Sequence, residues 1–150
     1  MNSSDVGSWS GNWAWSLPLI VVNVLLHVSS LALLSETLER IFIGAARRII
    51  TKLRFGIVMA FMTLFATTLH GIEALIWALA YRFLDALPDY RSAMRYSLSA
   101  MTSYGSTNMY VKFHWQLMGA LESLNGMLLL GLTTAFLFSM IQKASRNQSG

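Results

Sequence analysis

Three long runs of apolar residues, separated by short polar stretches, set the pattern of this chain. They cover residues 17–34, 55–81 and 115–142. A helix needs about 20 mostly apolar residues to cross the hydrocarbon core of a bilayer, and each run approaches or exceeds that length. We therefore expect an all-α membrane protein with three transmembrane helices, whose termini lie on opposite sides of the membrane.

The composition agrees with this interpretation and excludes several classes of protein. Hydrophobic residues make up 55% of the 150 residues and charged residues 12%, whereas a soluble domain carries about 25% charged residues. So few charges cannot cover a water-soluble core, and we do not expect a soluble enzyme. The net charge of +4 does not indicate nucleic-acid binding, because the basic residues flank the apolar runs. Without cysteine there is no disulfide and no thiolate ligand.

The basic residues predict the orientation. Seven Lys and Arg residues lie between the first two runs or after the third, and four lie between the second and third runs. The positive-inside rule then places the N-terminus outside and the C-terminus in the cytoplasm, in a plasma membrane such as the bacterial inner membrane. Residues 36–53 form either an amphipathic helix on the inner leaflet, whose Arg and Lys residues face anionic lipid, or extensions of two long helices, and we favour the extensions.

We divide the chain into three parts on this basis. They are residues 1–54 (extracellular N-terminus, first transmembrane helix and basic connection), residues 55–142 (a pore module) and residues 143–150 (a cytoplasmic tail).

The stretch between the second and third runs begins with a short helix. Pro88 and Asp89 are typical of a helix start, and the residues up to Met101 fit a helix of about 13 residues, roughly 20 Å long. That length is too short to cross a bilayer, yet the later half, residues 97–101, carries no charge. We expect a re-entrant helix that enters the membrane and returns to the same side.

A polar segment follows this helix at residues 102–108, with the sequence Thr-Ser-Tyr-Gly-Ser-Thr-Asn. Irregular backbone at membrane depth is tolerated only where protein buries it or where it lines a wet cavity. Carbonyl and hydroxyl oxygens that replace the water shell of an ion form cation filters, and the negative end of the short helix favours cations there. An ordinary extracellular loop, polar because it is exposed, is the alternative.

The order of membrane helix, short helix, polar segment and glycine-bearing helix resembles the pore module of the potassium-channel superfamily, particularly its small bacterial ion-channel-like members. The resemblance covers residues 89–142. Three residues match the family filter Thr-Thr-x-Gly-Tyr-Gly-Asp, with Tyr104 at its variable position: Thr102, Ser103 and Gly105. Three others replace its Tyr, Gly and Asp: Ser106, Thr107 and Asn108. A shifted register would instead equate Tyr104-Gly105 with the family's Tyr-Gly pair.

The resemblance implies a homotetramer whose axis is lined by residues 102–108 and by the third run as inner helix. Gly126 or Gly131 then offers a bend in that helix, although glycine also suits close helix packing. Thr107 stands where the family has a glycine and adopts that backbone conformation only with strain, and Asn108 lacks the outer carboxylate. We therefore expect monovalent cations, K⁺ or Na⁺, to pass with weak or altered potassium selectivity.

Polar residues also recur inside the apolar runs. They form pairs three or four positions apart, each on one helix face: Asn23 and His27, His70 and Glu73, and Glu122 and Asn125. Counted inward at about 1.5 Å per residue, they lie at similar depth. An ionisable group there costs about 2.5 kcal/mol or more unless it is partnered or wetted, so we predict a hydrogen-bonded network that links at least one glutamate to a histidine.

Three roles for this buried network stay open. It braces the short helix, it senses protons or gates the pore through histidine titration, or it holds a metal through His27, His70, Glu73 and Glu122. The expected function is a tetrameric cation channel without cofactors and without enzyme activity. The alternatives are a non-conducting small subunit or scaffold with a pore-like fold, and a membrane metal-binding protein.

Overall fold

The computed structural model describes residues 3–44, 52–105 and 111–146. These residues form helices α1 (Ser3–Gly44), α2 (Lys52–Phe83), α3 (Tyr90–Met101) and α4 (Gln116–Arg146), with a 3₁₀ turn at Phe113–Trp115. No strand occurs in these three ranges, which confirms the all-α class for them. Residues 45–51 of the basic connection and the predicted filter residues Ser106, Thr107 and Asn108 lie outside the described residues.

Three of the helices are long and apolar enough to cross a membrane, as the sequence predicts. The candidate spans are Trp9–Leu38, Phe55–Phe83 and Phe113–Lys143. The first begins eight residues before the predicted start at residue 17, because α1 is already helical from Ser3. Trp9, Trp13 and Trp15, which precede the apolar run, are therefore part of this helix.

Polar side chains point into the bundle and large apolar side chains point out of it. Asn12 and Ser16 near the start of α1, and Glu122 on α4, are fully or almost fully buried. Leu64 and Met127, by contrast, are 66% and 61% exposed. A soluble bundle shows the reverse arrangement, so the surface of this fold suits lipid.

The order of contacts along each pair of helices gives the directions of the spanning helices. Asn12 contacts His114 near the start of α4, and His27 contacts Thr133 further along it, so α1 and α4 run parallel. His27 also contacts Glu73, while residues later in α1 pack against earlier residues of α2, so α2 runs antiparallel to both. This up-down-up order agrees with three crossings of a membrane.

Asn12 joins the beginning of α1 to the beginning of α4. Its Oδ1 accepts a hydrogen bond from the backbone N–H of Met118 at 2.8 Å, and its Nδ2 donates to the carbonyl of His114 at 2.6 Å. The first N–H groups of a helix lack partners within the helix, so a buried amide from another helix supplies one here. The sequence pattern did not single out Asn12.

The short helix α3 begins and ends with recognisable caps. Asp89 is its N-cap, and its carboxylate accepts from the backbone N–H of Ser92 at 2.9 Å. At the other end, Tyr104 N–H donates to the Ser99 carbonyl at 3.0 Å, and Ser103 has a φ of 54°. This left-handed residue and the long return bond form a Schellman motif, which stops α3 at Met101.

Charged residues hold the α2–α3 connection outside the spanning segments. Lys112 Nζ donates to Asp85 Oδ2 at 2.5 Å, and Arg82 donates to the Leu87 carbonyl at 2.6 Å. The hydrogen bond from Lys112, together with its charge, holds the pKa of the exposed Asp85 carboxyl below its ordinary value.

Candidate functional site

The first four residues of the predicted filter lie on the surface of the chain at the end of α3. Thr102, Ser103, Tyr104 and Gly105 are all exposed, and Tyr104 is 87% exposed. Gly105 has a φ of 75°, in the left-handed region that favours glycine. The Thr102 hydroxyl donates to the Leu98 carbonyl at 2.7 Å. The backbone therefore leaves α3 in an irregular, polar and uncovered segment.

An open groove of about 340 Å³ lies between this segment and α4. Small and hydroxyl-bearing residues line much of it, including Ser99 and Ser103 on one side and Gly119 and Ser123 on the other. A side chain at Gly119 would meet the hydroxyl of Tyr96. The absence of a side chain at position 119 therefore lets α3 and α4 pack closely beside the groove.

Ser97 and Glu122 anchor α3 to both neighbouring helices. The Ser97 hydroxyl lies 2.7 Å from the Ala74 carbonyl of α2 and also contacts Glu122 Oε1 on α4. Tyr81 of α2 donates to Glu122 Oε2 at 2.8 Å. The Ser97 hydroxyl has one hydrogen for two acceptors, and a proton on the Glu122 carboxyl would supply a second one. Such a neutral acid suits a fully buried site that offers no cation among these contacts.

Gly126 allows the C-terminal end of α3 to pack directly against α4. A Cβ at this position would lie 2.6 Å from Met101 Cα and 2.8 Å from its carbonyl carbon. Gly131 has open space around it instead. Close packing, one of the two explanations that the sequence offered for glycine, therefore accounts for Gly126, whereas a bend at either glycine stays a prediction.

A second buried cluster joins α1, α2 and α4. His27 Nδ1 lies 2.8 Å from Glu73 Oε1, and His70 Nδ1 lies 3.0 Å from Oε2 of the same carboxylate. On the far side of both rings, the Thr133 hydroxyl lies 3.2 Å from His27 Nε2 and 3.1 Å from His70 Nε2. The four side chains form a ring of close contacts in which Glu73 Oε2 makes no hydrogen bond. Asn23 adds a bond from Nδ2 to the Glu73 carbonyl at 3.4 Å.

The structure thus separates residues that the sequence placed together. His27, His70 and Glu73 meet, whereas Glu122 lies with Ser97 and Tyr81. Tyr81 is eight residues beyond Glu73, which is about 12 Å along α2. The depth count from the sequence missed this separation because it started α1 too late and treated the outer ends of all the helices as level.

Asn125 and Asn23 contain buried atoms without a hydrogen bond. Both side-chain polar atoms of Asn125 are buried and unpartnered, as is Oδ1 of Asn23. Buried polar groups are usually hydrogen-bonded, so these atoms call for water or another ligand.

Three residues that complete the clusters were missed by the sequence analysis. Thr133 lies 11 residues after Glu122, about three helical turns, so the face that carries Glu122 also carries Thr133. Tyr81 lies on the helix face that includes Glu73 and Trp77. Ser97 carries no signal in the sequence, because a serine in a short helix is usually exposed.

Comparison with known proteins adds no family. No protein-family model, curated protein or solved structure matches this chain.

Proposed function

We propose that the protein assembles as a tetramer around a cation path lined by residues 102–108 and by α4, and that it passes monovalent cations. In this proposal α3 is a re-entrant pore helix and α4 is the inner helix. The resemblance of residues 89–142 to a potassium-channel pore module motivates the proposal, and the depth at which α3 ends carries it.

The end of α3 meets α4 far from either end of the third candidate span. Met101 packs against Gly126, which is 13 residues from the start of the span Phe113–Lys143, about 20 Å along the helix axis. Both ends of the connection that contains α3 join spanning helices at the same side. The level that the C-terminal end of α3 reaches along α4 therefore supports the proposal of a re-entrant segment.

The exposed segment after α3 requires a cover at this depth. Thr102, Ser103 and Gly105 present backbone and hydroxyl groups outward, and the hydrocarbon of a bilayer cannot accept irregular polar backbone. Further copies of the chain around a wet axis would cover these groups and use their oxygens for cations. The groove of small and hydroxyl-bearing residues between α3 and α4 gives such a neighbour room to approach.

Weak selectivity follows from the residues that replace the family's filter. Thr107 lacks the conformational freedom of glycine, and Asn108 offers no negative charge at the outer mouth. We therefore propose that potassium and sodium both pass, with only a small preference for potassium.

Flux through vesicles tests this proposal. The purified protein in lipid vesicles should carry K⁺ and Na⁺, and Gly105→Val should abolish the flux because it adds a branched side chain at a left-handed backbone position facing the path. Gly56→Val is the matched control, since Gly56 also has open space around it but lies at the start of α2. Both variants should keep the size of the wild-type complex in detergent. An intact tetramer without flux in any gradient would favour the scaffold alternative.

The orientation belongs to the same proposal, with the N-terminus outside and the C-terminus in the cytoplasm. Because the chain has no cysteine, single cysteines can report it with a membrane-impermeant reagent. Ser4→Cys and Ser92→Cys should react from outside and Ser145→Cys only from inside. Labelling of Ser145→Cys from outside would contradict the assigned topology.

A further inference from the structure

The ring of His27, His70, Glu73 and Thr133 has fewer hydrogens than contacts. It contains four close contacts, with distances between 2.8 and 3.2 Å. Two neutral imidazoles and one hydroxyl carry three hydrogens in total, while an ionised carboxylate carries none. The contact left without a hydrogen is the one between His70 Nδ1 and Glu73 Oε2, which lie 3.0 Å apart although Oε2 makes no hydrogen bond. Two lone pairs would meet there, and a positive species bound by both atoms would relieve that contact.

Asn23 adds a further lone pair without a hydrogen. Its Oδ1 is buried and unpartnered, although its Nδ2 reaches the carbonyl of Glu73, one of the ring residues. Asn23 is also one helical turn from His27 on the same face of α1. A single extra proton would complete the ring and leave Asn23 unsatisfied. A metal ion that carries a water could satisfy both, because the ion takes lone pairs directly and its water donates hydrogens.

We propose that His27, His70 and Glu73 bind one transition-metal dication of the Zn²⁺ class. This proposal does not rest on the channel function. Two imidazoles and a carboxylate are a ligand set that such ions accept. Both Nδ1 atoms face the carboxylate, and the candidate donor atoms of the three residues all lie within 4.8 Å of one another.

The distances suit coordination with small adjustments. Bonds of about 2.0–2.2 Å from zinc to nitrogen or oxygen place the ligand atoms of a tetrahedral site about 3.3 Å apart. His27 Nδ1 lies 2.8 Å from Oε1 of Glu73, and His70 Nδ1 lies 3.0 Å from Oε2. Both separations lie within a few tenths of an ångström of that value. Such shifts are within the reach of side-chain torsions.

Thr133 acts as the outer partner that orients both ligand rings. With the Nδ1 atoms bound to the ion, each Nε2 carries a hydrogen, and the Thr133 oxygen accepts both through its two lone pairs. Histidine ligands commonly donate their second N–H to an acceptor in this way. One hydroxyl between two histidines therefore sets the tautomer of both.

The charge of the site is also compatible with the ion. A dication and the Glu73 carboxylate leave one positive charge, and a bound water that releases a proton cancels it, as water on zinc does near neutral pH. His70 is 19% exposed, whereas His27 and Glu73 are fully buried. The site thus lies directly behind His70, near the surface of the bundle. Bound there, the ion would link α1 to α2.

Metal titration of the full chain in detergent tests the site. After treatment with a chelator, the wild type should take up one Zn²⁺ per chain, and Co²⁺ in its place should give the intense visible absorption of tetrahedral coordination. His27→Ala and Glu73→Gln should each lower the affinity for Zn²⁺ at least 100-fold. His114→Ala should not change it, because His114 is the exposed histidine outside the cluster. Thr133→Val should weaken binding about 10- to 100-fold, and Thr133→Ser should restore it.

The wild type alone is sufficient to refute the proposal if variants do not fold. No saturable uptake of Zn²⁺ and no tetrahedral Co²⁺ spectrum would overturn it. So would ¹⁵N spectra of metal-free protein that show one imidazolium in the cluster and do not change when Zn²⁺ is added, since a proton then fills the ring. Uptake that is lost equally in His114→Ala and in the ring variants would also overturn it. None of these outcomes depends on whether the protein conducts.

Discussion

The contact between Gly126 and α3 gives a matched pair of substitutions. Gly126→Ala places a methyl group 2.6 Å from Met101 Cα, while Gly131→Ala, five residues further along α4, places one in open space. Both variants gain the same intrinsic preference of alanine for a helix, up to about 1 kcal/mol. The difference between their stabilities therefore isolates the contact with α3.

The size of that difference follows from the atoms involved. Carbon atoms pack at about 3.5–4.0 Å, so Met101 must retreat by about 1 Å or α4 must move away. The atoms in contact belong to backbone, which cannot rotate aside as a side chain would. Adding a methyl group to a closely packed site costs about 1–3 kcal/mol. We expect Gly126→Ala to be about 2 kcal/mol less stable than Gly131→Ala.

Thermal unfolding in detergent, followed by circular dichroism, measures the comparison. For a chain of this size, about 2 kcal/mol corresponds to a difference in Tm of about 4–8 °C. Gly126→Ala should also reduce vesicle flux, because the segment after Met101 moves with α3. Equal Tm values for the two variants would refute the close approach of α3 and α4, and with it the depth argument for a re-entrant helix.

Three further predictions concern other contacts. His70→Ala and Glu73→Ala, measured singly and together in metal-free protein, should show a coupling energy of about 0.5–3 kcal/mol in the unfolding free energy, and strict additivity would mean that the two side chains do not interact. Asn12→Ala should destabilise the protein by about 1–2 kcal/mol through loss of the α4 cap, with Asn12→Asp intermediate in Tm because it keeps only the acceptor. Lys112→Gln should return the pKa of Asp85 toward 3.8 in carboxyl NMR titration. Because folding lowers that pKa in the wild type, the stability from this contact is present above pH 3.8 and declines as the pH falls further. An unchanged Asp85 titration in Lys112→Gln would show that Lys112 does not cause the shift.

The sequence by itself determined the number and type of the helices. Apolar runs of the required length predict spans because a bilayer imposes a minimum length on any helix that crosses it. The sequence also predicted the start of α3, because Pro88 and Asp89 are local signals of a helix start. Asp89 is the N-cap in the structure. Spacings of three or four residues correctly put His70 and Glu73 on one face of α2, because that relation depends only on helical geometry.

Tertiary structure decided which of these faces meet. Glu73 contacts two histidines whereas Glu122 contacts Ser97 and Tyr81, and both carboxylates look alike in the sequence. Their partners depend on the rotation and axial offset of each helix against its neighbours. Those quantities follow from the packing of whole surfaces, including the absence of a side chain at Gly126. Local spacing carries no information about them, because contacts between different helices join residues that are far apart in the chain.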